Sequence, residues 1–152
     1  MRILVIAVGR TRDAGFKALW QDYAGRGQPP LELREVEDKK RGSPAEVKER
    51  EGQLLLAEIP DRAIVVALDQ RGRSLTSLAF ARQIENWAER GVADLAFLIG
   101  GADGLSEAVL ARADEKLSLG AMTLPHQLAR IVIAEQIYRA GTIRAGHPYH
   151  RE

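Results

Sequence analysis

Short apolar runs alternate with longer segments of helical period along the chain, and this alternation most constrains its fold. The runs at Ile3–Val8, Ala63–Leu68 and Leu95–Gly100 are almost continuously apolar. Strands of that kind are buried on both faces, as in a parallel sheet covered by helices. We therefore predict an α/β fold with a mostly parallel sheet and helices on both faces. Two further strands are predicted at Leu31–Val36 and Lys116–Gly120.

The segments between these runs carry helix start and stop signals. Ser43, Pro44 and Glu46 stand in the order of a capping box, which predicts the start of a helix. A second amphipathic helix begins near Thr76 and ends near Gly91, because glycine suits the residue after a helix C-terminus.

The last predicted helix, from about Gln127 to Ala140, is apolar over a wide surface. A helix that is apolar around more than one stripe is buried on two sides. One side can face the sheet and the other a second subunit, so we expect a homodimer. The residues that form this wide surface are Leu128, Ile131, Val132, Ile133, Ile137 and Tyr138.

Composition narrows the class of protein. The 152 residues fit one domain, predicted to span residues 1–152, and the absence of cysteine excludes disulfides and thiolate metal sites. No segment approaches the roughly 20 apolar residues that cross a bilayer, so we expect a soluble, cytoplasmic protein without a membrane partner. With 22 basic and 21 acidic residues the net charge is +1, so any nucleic acid must be met by a local patch.

Three of the predicted strands are followed by loops that suit ligand binding. These are DQRG after Leu68, IGGADGLS from Ile99 to Ser106, and LGAMTLPHQ after the last strand. In open α/β sheets, ligands bind at the carboxyl ends of the strands. If the three strands are neighbours, the loops converge on one crevice. Each loop taken alone also fits a plainer structure, a tight turn for GGADG and an ordinary helix start for TLPHQ.

Several chemistries lack their motifs. Position 99 is isoleucine, so the dinucleotide fingerprint fails, and the Lys-Ser/Thr ending of a phosphate loop is missing. The three histidines do not have metal-ligand spacing, and no serine lies on a nucleophile elbow, so we predict no metal site. A nicotinamide oxidoreductase and a non-enzymatic nucleotide-binding or RNA-binding module are the two alternatives to the function given below. The second would leave the histidines of the terminal HPYHRE without a use.

Basic residues cluster in GRTR (9–12), DKKRG (38–42) and RGR (71–73), and near the carboxyl terminus. These clusters could contact phosphates. DKKRG taken alone is also typical of an ordinary solvated loop.

The motifs LIGGADGLS, LSLGAMTLPHQLARIVIAEQIYRA and HPYHRE together resemble the bacterial SPOUT-class ribosomal RNA large subunit methyltransferase H family. The resemblance begins at LVIAVG and spans the chain. It implies an S-adenosylmethionine-dependent methyltransferase that acts on N3 of a pseudouridine in 23S rRNA, in the loop of helix 69 on the assembled ribosome. It also implies a homodimer and a carboxyl-terminal trefoil knot built from the IGGADG and LGAMTLPH loops.

The same resemblance implies the cofactor contacts, and the chemistry of methyl transfer leads us to a hypothesis for the tail. His150, helped by Tyr149 and Arg151, is expected to reach the methyl-acceptor site, in its own subunit or in the partner. A tail that only packs against the knot and orders the cofactor pocket is the alternative. His126 is a second catalytic candidate, although a histidine at a helix start is more often positional. The expected cofactor contacts, largely through backbone groups, are Leu68, Gly101, Gly120, Ala121, Met122, Thr123, Leu124 and Pro125.

Overall fold

The computed structural model describes residues 1–27 and 29–151, so Glu152 of the HPYHRE motif lies outside the described residues. Its centre is a five-stranded sheet in the order β2-β1-β4-β3-β5, and every neighbouring pair is parallel. The predicted parallel α/β fold is confirmed. The strands are β1 (Arg2–Val8), β2 (Glu32–Val36), β3 (Ile64–Ser74), β4 (Asp94–Ile99) and β5 (Glu115–Ser118).

Helices cover both faces of this sheet, as predicted. On one face α3 and α5 pack against the strands, with α1 beside α5, and on the other face lie α2 and α4. No helix in the described ranges is long and apolar enough to cross a membrane. The helices are α1 (Ala14–Gly25), α2 (Pro44–Ala57), α3 (Ser77–Glu89), α4 (Glu107–Arg112) and α5 (His126–Ala145).

The central strand β4 shows why the predicted runs read as continuously apolar. Leu95, Phe97 and Ile99 point into the core beneath α3 and α5. Ala96 and Leu98 point into the core beneath α2 and α4. All five are at most 3% exposed, and each large side chain contributes about 2 kcal/mol through its burial.

The predicted helix signals operate as expected at α2 and α3. The Glu46 amide donates to Ser43 Oγ at 3.2 Å, and the Glu46 carboxylate accepts from the Ser43 amide at 3.4 Å. Gly91, which follows α3, has φ +80°, a backbone angle that favours glycine.

The third strand is longer than predicted. The sequence analysis placed a loop directly after Leu68, but β3 continues through a bulge to Ser74 and pairs again with β5 at Arg73. Gly72 makes this pairing close, because a Cβ there would lie 2.5 Å from the backbone carbon of Lys116. The segment DQRGR has no apolar pattern that predicts a strand, because this part of β3 is mostly exposed.

Two helices also differ from the sequence prediction. Residues Ala14–Gly25 form α1, which the apolar pattern did not indicate because Ala24 is its one buried residue. The last helix continues past Ala140 to Ala145 and ends at Gly146, where φ is +69°. The trefoil knot stays a prediction.

Candidate active site

A cavity of about 720 Å³ opens at the carboxyl ends of β4 and β5 and beside the bulge of β3 that follows Leu68. These strands are adjacent in the sheet, so the three loops singled out in the sequence meet there. Leu68, Ile99 and Leu117 form an apolar part of its lining, and the loops 100–105 and 119–125 supply backbone groups. Small-molecule sites are typically about 300–1,000 Å³ with a mostly apolar lining, and this cavity is of that kind.

Most of the residues expected to contact a cofactor lie in this cavity. Ala121 is the exception, since it is exposed in the same loop and does not line the cavity. Asp69, Gln70 and Arg71, from the DQRG segment that the sequence indicated as part of the crevice, also line the cavity. The expected cofactor contacts that do line the cavity are Leu68, Gly101, Gly120, Met122, Thr123, Leu124 and Pro125.

The loop after β4 is a tight turn in which Gly100 has no room for a side chain. The Gly104 amide donates to the Gly101 carbonyl at 3.1 Å. A Cβ on Gly100 would lie 2.8 Å from the Gly104 backbone, and one on Gly101 would lie 3.1 Å from Val8 and from the Glu51 carboxylate. The turn therefore packs closely against itself and against Val8 and Glu51, while Gly100, Gly101 and Gly104 line the cavity.

Glu51 lies behind this turn as an incompletely paired carboxylate. Its Oε1 atom is buried and has no hydrogen-bond partner among the described residues. Burial, followed by the nearby carboxylates of Asp103 and Asp38, raises the pKa of Glu51 above its usual value. Within residues 1–27 and 29–151, no three His, Asp or Glu side chains are grouped to hold a metal ion.

The opposite wall is the loop between β5 and α5. Gly120 adopts φ +137°, and its amide donates to Ser118 Oγ at 3.2 Å. Gln70 Nε2 donates to Thr123 Oγ1 at 2.9 Å, which ties this loop to β3. The first turn of α5 follows Pro125 and has no side-chain cap, so its free amides can meet water or an anionic group.

His126 and Arg130 connect this wall to the rest of the sheet. His126 lines the cavity, and burial together with the Arg130 charge lowers its pKa, so the imidazole is neutral near pH 7. Arg130 is 1% exposed and donates to Glu35 Oε2 at 2.6 Å, to the Val8 carbonyl at 2.9 Å and to the Gly9 carbonyl at 2.6 Å. These bonds lock the start of α5 to the ends of β1 and β2.

The carboxyl-terminal tail is bound to the middle of α5. Tyr149 Oη donates to Glu135 Oε1 at 3.0 Å, and the Tyr149 ring packs edge-on against Tyr138 with centroids 4.7 Å apart. The Arg139 guanidinium lies 5.3 Å from the centre of the Tyr149 ring. Burial and the bond to Glu135 raise the pKa of Tyr149 to about 12, so its hydroxyl is a donor at neutral pH.

The tail does not lie in the cavity of its own chain. Tyr149, His150 and Arg151 are not among the described residues that line it. Their anchor, Glu135, lies nine residues after His126, which is about 13 Å along a helix. His150 Nδ1 is buried and has no hydrogen-bond partner in the described part of the chain.

Comparison with known proteins identifies the family. The family model described as "Predicted SPOUT methyltransferase" matches residues 1–150. A Rhodospirillum centenum protein named ribosomal RNA large subunit methyltransferase H is 54% identical over 151 residues, which cover 99% of each chain. A protein of the same name from Gluconacetobacter diazotrophicus is 56% identical over 148 residues, 97% of this chain and 95% of that one.

Solved structures share the fold at low sequence identity. A probable methylase family protein from Haemophilus influenzae Rd KW20 superimposes with a TM-score of 0.62 and 11% identity, over 99% of this chain and 70% of that one. The SpoU methyltransferase AviRb from Streptomyces viridochromogenes, solved in complex with AdoMet, gives 0.50 and 16%, over 96% of this chain and 59% of that one. The full-length sequence matches go further than the shared fold: the chain belongs to the SPOUT methyltransferase family and, within it, to the ribosomal RNA large subunit methyltransferase H proteins.

Proposed function

We propose that this protein transfers the methyl group of S-adenosylmethionine to N3 of a pseudouridine in the helix 69 loop of 23S rRNA, on the assembled ribosome. Membership of the family and the names of its full-length relatives support the reaction class. The observation that carries the assignment of the site is the cavity at the carboxyl ends of β4 and β5 and the bulge of β3.

The cavity suits S-adenosylmethionine, which combines a flat apolar base, a ribose and a charged amino-acid end. Leu68 and Leu117 offer an apolar surface for the base. The Gly101 turn lines the cavity, and the uncapped first turn of α5 suits a carboxylate. A structural relative by fold, AviRb, was solved with this cofactor. The residues that would hold it are the eight predicted contacts, of which only Ala121 lies outside the lining.

Bound S-adenosylmethionine supplies an electrophilic sulfonium methyl group, so the chain must align the acceptor nitrogen and manage one proton. The imide proton of pseudouridine needs an acceptor, and the His150 imidazole is our candidate for that role. Tyr149 holds the tail in place, because its hydroxyl, whose pKa is raised to about 12, stays protonated and donates to Glu135. Arg151 balances the negative charge that develops on the base.

The tail serves the cavity of a second subunit in a homodimer. Docking on Glu135 and Arg139 supports this arrangement, because it holds the tail away from the cavity of its own chain. Met122, on the cavity wall, is 84% exposed, and Leu128 on α5 is 37% exposed. A partner subunit would cover these apolar side chains at the point where its tail arrives.

The alternative is that the tail has only a structural role, and its contacts with α5 are compatible with that role. A truncation separates the two roles. Removing residues 149–152 is expected to abolish methylation of ribosomes from a labelled methyl donor, with calorimetric binding of S-adenosylmethionine retained. Normal methylation by the truncated protein would contradict the catalytic role, and loss of cofactor binding would favour the structural one. Titration with NAD serves as the control for the oxidoreductase alternative.

A further inference from the structure

Two basic segments that are far apart in the sequence meet beside the cavity. β1 and β2 are neighbours and run parallel to β4, so the loops that follow them lie at the same edge of the sheet as the cavity. A Cβ on Gly9 would lie 3.8 Å from Nε2 of His126, which lines the cavity. We call the exposed cations of these two loops the basic rim: Arg10, Arg12, Lys39, Lys40 and Arg41.

Arg50 of α2 shapes the second loop from within. Its Nε donates to Asp38 Oδ2 at 2.6 Å, and its Nη2 donates to the carbonyls of Lys40 and Arg41 at 3.1 and 3.2 Å. Asp38 also accepts from the Lys40 amide at 3.0 Å. Asp38 is thus neutralised by Arg50, while the side chains of Lys39, Lys40 and Arg41 make no ion pair within the described part of the chain.

The first loop is fixed just as firmly. The Thr11 amide donates to Glu35 Oε2 at 2.7 Å, and Glu35 is held in turn by the buried Arg130. On either side of Thr11, Arg10 and Arg12 share Glu37 at 3.2 and 3.5 Å, and their side chains remain 62% and 77% exposed. Both guanidinium groups therefore keep donors free for another anion.

The charge of the rim contrasts with that of the whole chain. Its five cations outnumber the nearby carboxylates of Glu37, of Asp13, which caps α1, and of Glu46 at the start of α2, although the whole chain has a net charge of only +1. A preorganised cluster of arginines and lysines beside a ligand cavity suits a run of phosphates, which arginine binds with paired donors and lysine with a point charge. A modest net charge does not oppose such a local patch.

We infer that the basic rim binds the phosphate backbone of rRNA on one side of the methyl-acceptor nucleotide and so holds that nucleotide at the cavity. The inference rests on the proposed function and names the surface that meets the RNA. Phosphate contacts position a protein on nucleic acid and supply affinity, so the rim governs ribosome binding rather than the methyl-transfer step.

The test is the triple variant Lys39→Gln/Lys40→Gln/Arg41→Gln. We expect its KM for ribosomes and its Kd for 70S ribosomes, measured with fluorescently labelled protein, to rise about tenfold or more. The kcat and the calorimetric affinity for S-adenosylmethionine stay unchanged. Between roughly 50 and 200 mM salt, the dependence of log Kd on log salt becomes shallower by about 2 to 3, since each lost phosphate contact removes about 0.9. Arg12→Gln, in the other loop, shows the same changes at smaller amplitude.

The matched control, Arg62→Gln/Arg82→Gln/Arg90→Gln, removes the same charge at exposed positions away from the rim. It should leave the KM and the salt dependence near the wild-type values. An unchanged triple variant, or an equal loss in the control, would overturn the inference. If the wild-type protein binds ribosomes through the basic rim but does not methylate them, the proposed function is contradicted, while the inference that the basic rim binds rRNA is supported.

Discussion

The surroundings of Tyr149 and His126 set the protonation state of each side chain near neutral pH. Tyr149 donates to Glu135, and its pKa of about 12 prevents it from acting as a base near neutral pH. His126 lines the cavity as a neutral imidazole, because burial and Arg130 lower its pKa. The imidazole of His150 stays our candidate for receiving the imide proton, and His126 on the cavity wall is the second candidate.

Glu51 should make stability depend on pH. A carboxyl group whose pKa is raised on folding contributes stability below its unfolded pKa and loses that contribution as pH rises through the folded pKa. Glu51→Gln should therefore raise the free energy of unfolding by about 1 kcal/mol near pH 7 and by much less near pH 4. Urea denaturation at the two pH values measures this. Glu49→Gln, exposed on the same helix, is the control, and an equal gain at both pH values would contradict the prediction.

At the scale of elements, the turn after β4 depends on the absence of side chains. Gly100→Ala places a Cβ 2.8 Å from the Gly104 backbone, so the turn must shift. We expect the free energy of unfolding to fall by about 2 kcal/mol and the affinity for S-adenosylmethionine to fall clearly. Urea denaturation measures the first change and calorimetry the second. Gly141→Ala in α5 is the control, because a Cβ at this position would meet no atom within 4 Å outside the neighbouring backbone of the helix. Wild-type cofactor affinity in Gly100→Ala would show that the turn does not form the binding wall.

The elements also show where sequence patterns succeed and fail. The buried strand β4 and the capping box of α2 were predictable, because burial on two faces and local capping both leave short-range patterns. The strand structure of residues 69–74 in β3 and the helix α1 were not predictable, because both are largely exposed. Their structure depends on pairing with β5 and packing against α5, which lie far away in the sequence.

At the scale of the whole molecule, the proposed crossing of the tail between subunits can be tested with mixed dimers. We expect His150→Ala and Gly101→Val homodimers to be inactive, the second because a side chain there meets Val8 and Glu51. Co-expressed with different tags, a mixed dimer has one intact cavity facing one intact tail and should regain methylation of ribosomes. A tail that serves its own chain would leave the mixed dimer inactive. Light scattering that finds only monomers at micromolar concentration would contradict the homodimer.

The sequence by itself determined the parallel α/β fold, the positions of the glycine loops and, through the resemblance of its motifs, the methyltransferase family. Continuous apolar runs, caps and glycines are local signals, so they can be read without long-range contacts. Only the tertiary structure decided that β3, β4 and β5 are neighbours around one cavity. It also decided that the two basic loops meet, and that the tail is held away from its own cavity. Strand order and the packing of buried ion pairs such as Arg130 with Glu35 join residues far apart in the chain, and no local pattern records such pairings.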